Sequence, residues 1–130
     1  MSKWKSFIDV SSCSIEQLVK TAYDLSVPVG MGLYHFSPDP MSDDLFHETM
    51  EQCTHRNRIS LDYVKGRQVK FTIWMDPDAQ KHYIRPQWYD HTTENLVVLL
   101  TRCGIPDAEL VITQAHEHEE DEQMAAKEAL

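Results

Sequence analysis

The chain is poor in the residue patterns that carry ready-made chemistry. It has only four glycines, and they build no glycine-rich loop of the kind that cradles a phosphate. No His-Glu-x-x-His run and no nucleophile elbow is present, so neither a zinc protease nor an α/β-hydrolase is written into it. The three cysteines, Cys13, Cys53 and Cys103, are odd in number and widely spaced. A secreted disulfide framework needs an even set, so free thiols in a reducing, cytoplasmic setting are expected. The longest aliphatic run is Leu96 to Leu100, too short to cross a bilayer, and no membrane partner is expected. Met1 to Val10 lacks the apolar stretch of a signal peptide. No internal repeat is visible, which excludes a solenoid, and nothing calls for a cofactor.

What remains is an ordinary globular composition. At 130 residues, 42% apolar and 25% charged, the chain is long enough to bury roughly two-thirds of its unfolded surface without a metal or disulfide. One domain over residues 1–114 is expected, followed by an acidic segment at 115–130, as a polar helix or a mobile tail. The net charge is −9, and residues 115–130 hold six acids against one base. Between Arg56 and Arg85 the balance reverses, with seven bases against three acids. An acidic body repels bare nucleic acid and anionic membranes and attracts a protein partner with a basic surface. The basic band keeps a local exception open.

Hydrophobic spacing lays out the elements. Residues 4–10 read as a strand. Ser14 caps a helix with Ile15, Leu18, Val19, Ala22 and Tyr23 on one face, ended near Val27 and Pro28. Val29 to Phe36 reads as a second strand, with Gly30 and Gly32 on one side of it. Ser42 caps a second helix carrying Asp43 and Asp44 in its positive first turn and Leu45, Phe46, Thr49, Met50 and Cys53 on its buried stripe. Arg58 to Val64 and Arg67 to Met75 are strands of a hairpin. A three-residue loop, Val64 to Gly66, would pair Leu61 with Val69 and Ile59 with Phe71, and would put Tyr63 on the core face. A five-residue turn from Asp76 to Gln80 would lead to a strand at Lys81 to Arg85, with Ile73 opposite Tyr83 and Trp74 opposite His82. Asp90 caps a third helix, stopped by Gly104 and Pro106. Leu110 to Thr113 reads as a last short strand. The order predicts an α+β fold: a largely antiparallel sheet with a central three-stranded meander and helices on one face.

That register decides the other face of the sheet. It would carry Arg58, Ser60, Asp62, Lys70, Thr72, Trp74, His82 and Ile84, with Phe7, Tyr34 and Phe36 as further candidates. An antiparallel sheet can keep one face wet, but a tryptophan there calls for a cover. The cover is either the chain's own tail or an edge loop, or else a partner, since Trp and Arg concentrate binding energy. Partner contacts would fall to Trp74, Lys70, Arg58, Asp62, His82 and Ile84. A nucleic-acid platform is the variant in which the ring stacks a base and Lys70 or Arg58 meets phosphate, a reading the net charge opposes.

Enzymatic chemistry has two candidate sites. Asp90 and His91 adjoin at a strand-to-helix junction, as an acid orienting an imidazole would. Asp62 and His82 could form a general acid–base pair on the open face. Asp90 is explained as simply by capping, and no nucleophile is tied to either pair. His47, Cys53 and His55 fit no zinc spacing. His116 and His118 lie in an acid-rich tract that would hold divalent ions only weakly. The expectation is therefore a small acidic protein that binds a protein partner as a regulator, inhibitor or immunity-type factor, a class that includes phage- and plasmid-encoded proteins.

Overall fold

The computed structural model describes residues 4–28, 40–85 and 92–128, without the side chains at 27, 28, 70, 71, 92–95 and 128. Within them the fold is α+β: six strands form one antiparallel sheet, accompanied by four helices. The strands are β1 (Ile8–Asp9), β2 (Val27–Pro28), β3 (Thr54–His55), β4 (Arg58–Val64), β5 (Arg67–Asp76) and β6 (Lys81–Ile84). The helices are α1 (Ile15–Asp24), α2 (Asp43–Cys53), α3 (Thr92–Arg102) and α4 (Ala108–Glu128). Sheet order is β1-β6-β5-β4-β3, with β2 pairing the start of β5. The meander β4-β5-β6 is thus the middle of the sheet.

The helix ends follow from local chemistry. Ser14 Oγ accepts from the Gln17 amide at 3.1 Å, and Ser42 Oγ accepts from the Leu45 amide at 3.1 Å. Each satisfies one of the amides that a helix start leaves without an internal partner. Gly104, at φ 80°, closes α3. The Ile105 amide donates to Leu100 at 2.9 Å and the Gly104 amide to Thr101 at 3.1 Å, a pattern that needs the left-handed residue between them.

Helix α1 lies against β5 and α2 against β4, while α3 packs on α1 and α4. The core between them is aliphatic: Leu18, Val19, Ile59, Leu61, Ile73 and Leu100 are fully or almost fully buried in one cluster. A buried cation closes its far end. Arg67 donates from Nε to Ser26 Oγ at 2.7 Å and from Nη2 to the Ser26 carbonyl, and lies over the Tyr23 ring.

Several expectations are corrected. The strand over 4–10 is only Ile8–Asp9, because the Phe7 amide folds back onto the Trp4 carbonyl at 3.0 Å. Leu110 to Thr113 is helix: Ala108, Ile112 and Ala115 are buried at helical spacing, and α4 runs unbroken across residues 114 and 115. The β4–β5 turn has two residues, Lys65 and Gly66, both left-handed at φ 48° and 72°. That turn matches the twist of a hairpin. Val64 consequently faces Arg67 and is buried, while Tyr63 is 61% exposed rather than in the core. The register then slips by one residue between Leu61 and Tyr63, so that Leu61 pairs with Phe71 and Ile59 with Ile73. The β5–β6 turn is one residue shorter than expected: Ile73 opposes Ile84, and Trp74 opposes Tyr83. β3 was not anticipated, and the strand expected at 29–36 lies outside the described residues.

Candidate functional site

The one-residue change at the β5–β6 turn redistributes the expected site. Residues paired across antiparallel strands share a face. Ile84, opposite the buried Ile73, is therefore a core residue at 3% exposure, not a surface contact. His82, opposite Met75, also turns to the helix side, where its Nε2 lies 2.7 Å from the Cys13 carbonyl. Tyr83 takes the place expected for His82 beside Trp74. Asp62 is exposed on β4, and it and His82 do not form the anticipated acid–base pair. Arg58 and Trp74 share the open face, as anticipated, but they stand directly opposite one another, where the expected register would have paired Arg58 with Thr72. The backbone of Lys70 is in β5, its side chain outside the described part; Asp90 and His91 lie outside it altogether.

What covers Trp74 is the segment before β1. Trp4 stacks on Tyr83 with ring centroids 4.4 Å apart and planes 5° from parallel. Phe7 meets Trp4 edge-on at 5.0 Å and Trp74 edge-on at 6.0 Å. Arg58 lies 5.3 Å from the Trp74 ring centre, and Arg85 lies 5.5 Å from that of Phe7. Each aromatic or cation–ring contact is worth roughly 0.5–1.5 kcal/mol, and together they fix four rings and two guanidinium groups. Trp4 and Trp74 nevertheless remain only half-buried.

Between the two indoles and the β3–β4 turn is an open cleft of about 330 Å³, lined by Trp4, Trp74, His55, Arg56, Asn57 and Arg58. The turn is held against β5 by the Met75 amide, which donates to the Asn57 carbonyl at 2.7 Å. Asp76 at the cleft's end is already engaged. Its Oδ2 accepts from Trp4 Nε1 at 3.2 Å, and its Oδ1 accepts from the amides of Asp78 and Ala79 at 3.2 and 3.4 Å. Among the described residues, neither Arg56 nor Arg58 has a carboxylate within ion-pair distance.

Cys13 and Cys53 are not poised as nucleophiles. Burial, then the neighbouring Cys103 thiol, pushes Cys13 up to about 12, and burial, then the Asp62 charge, raises Cys53. A thiol raised in this way carries almost no thiolate at neutral pH. His116 and His118 are on α4, where His116 Nε2 contacts Glu120 at 3.0 Å, and no metal-holding group of side chains occurs among the described residues. Trp4, Phe7, Tyr83, His55 and Arg56 were missing from, or only marginal to, the set anticipated from sequence. The signal available for Trp4 and Phe7 was a pair of rings three residues apart just before a short strand.

The arrangement defines a class: an antiparallel sheet with a preorganised aromatic cleft, rimmed by arginine, on the face opposite the helices. No protein-family model, curated protein or solved structure matches the chain. No helix among the described residues is long and apolar enough to cross a membrane.

Proposed function

We propose that this protein works by binding a protein partner on the open sheet face, as a regulator or inhibitor that occludes the partner's own working surface. The observation that carries this reading is the pair of half-exposed indoles held rigid beside two arginines that, among the described residues, no carboxylate engages. Trp and Arg in such settings dominate binding energy, and preorganised rings lose little freedom when a partner covers them. Packing stability alone accounts for Trp4 on Tyr83, but not for guanidinium groups left facing a cleft.

The second half of α4 carries Glu117, Glu120, Asp121 and Glu122. These acids would steer a partner with a basic surface toward the protein. Nucleic acid is the second reading, favoured by rings beside guanidinium groups and opposed by the net charge of −9.

Native capture from the source cell, followed by a binding titration with the purified partner, tests the proposal. Trp74→Ala is expected to abolish binding while the protein keeps its circular dichroism and monodispersity. A partner that binds Trp74→Ala with unchanged affinity would place the docking surface elsewhere. Binding that falls steeply with salt and follows added single-stranded oligonucleotide would favour the second reading.

A further inference from the structure

We infer that the cleft takes an acidic segment of the partner protein, with a carboxylate between Arg56 and Arg58 and the adjoining aromatic or aliphatic side chain between Trp4 and Trp74. This rests on the docking reading above and specifies the chemistry of what docks.

The charge inventory points to it. With 21 acids against 12 bases, a cation on this protein has acids in excess to pair with, and several do. Lys20 meets Glu16 at 3.2 Å and Asp43 at 2.5 Å. Lys81 meets Asp9 at 3.5 Å, and Arg85 meets Glu119 at 3.4 Å. Arg67 is satisfied by Ser26. Arg56 and Arg58 are two residues apart, line one cleft, and have no such partner among the described residues. The nearby Asp76 has its oxygens committed to Trp4 and the turn amides.

Geometry narrows the ligand further. The Arg58 guanidinium is held near the Trp74 ring, which orients its planar fork before anything binds. Such forks match carboxylates through paired hydrogen bonds. Arg56 stands at φ 53°, a left-handed turn position where glycine or asparagine is the usual choice. A cleft of about 330 Å³ admits a few side chains. A polynucleotide would bring a row of phosphates to a strongly acidic body, whereas one carboxylate needs only the local fork.

The test uses the intact chain. A random-peptide display library is panned against it, and the enriched peptides are resynthesised and titrated by tryptophan fluorescence. Enrichment of Asp or Glu beside an aromatic or aliphatic residue is expected. Arg58→Gln and Arg56→Gln should each weaken those peptides by about tenfold, Arg58→Lys by less, and replacing the peptide's acid with its amide should cost a similar factor. Near-ultraviolet circular dichroism of each variant checks that the ring cluster survives. Peptides without an acid, acidic peptides indifferent to both arginines, or no enrichment at all would overturn the inference. Neutral or basic peptides that still require Trp74 would overturn it while leaving the docking reading standing. A partner indifferent to Trp74→Ala would defeat that reading instead.

Discussion

The two faces of the sheet solve the same problem with different materials. On the helix side, Ile59, Leu61, Ile73 and Ile84 are buried in one aliphatic cluster, with α1 against β5 and α2 against β4, and the buried Arg67 is held by Ser26. On the other side, Trp4 and Phe7 from a short irregular segment lie over Trp74 and Tyr83. The first face is closed and aliphatic, and its stability comes from the area it removes from water. The second is half-open and aromatic, and its contacts are directional, so it can be rigid without being sealed. Two adjacent residues of β5, Ile73 and Trp74, belong one to each regime.

That contrast makes its strongest prediction at Ile73. Ile73→Ala should cost about 2–5 kcal/mol in urea unfolding, because it opens a cavity in a region that cannot collapse. Trp74→Ala should cost only about 1–2 kcal/mol, since the ring is half-buried and loses one edge contact and one cation contact. Equal losses at the two sites would remove the distinction between the faces. Trp4→Ala, about 1 kcal/mol, should shift the remaining tryptophan emission to the red as Trp74 gains water.

Smaller effects sharpen the picture at the edges. For Asp9, burial works upward, but hydrogen bonds from Ser11 and the Lys81 charge together hold its carboxyl below the ordinary 3.8. Lys20 holds Asp43 below the same value. Both carboxyls then contribute stability that is present above pH 3.8 and lost as pH falls through their lower folded values. Lys81→Met and Lys20→Met should each flatten the acid limb of a stability–pH curve. Lys65→Asn, which suits the left-handed first position of the turn, should stabilise by about 0.5 kcal/mol in thermal melts.

The fold class and the helix starts were legible because local rules set them: Ser14 and Ser42 cap as serine does, and the apolar periods select the buried faces. The pairing of β4 with β5 was legible by parity alone. The shorter turn and the slip between Leu61 and Tyr63 each move the pairing by one residue in the same direction, so the faces are kept while the partners change, and Arg58 meets Trp74 instead of Thr72. β6 had no such second shift, and a one-residue difference in its turn exchanged His82 and Ile84 for Tyr83. Trp4 could not be placed from sequence, because its position depends on stacking with a residue almost eighty positions away. Leu110 to Thr113 resembled a strand in composition, but packing against α3 made it helix.

The central claim is that the open face is built for recognition as well as packing, and Arg58 separates the two roles. Its side chain is exposed and, among the described residues, lies against the Trp74 ring, so Arg58→Gln should change unfolding free energy by less than about 1 kcal/mol. The same variant, titrated with the captured partner, should bind at least about tenfold more weakly. Unchanged partner affinity in a fully folded Arg58→Gln protein would contradict the account.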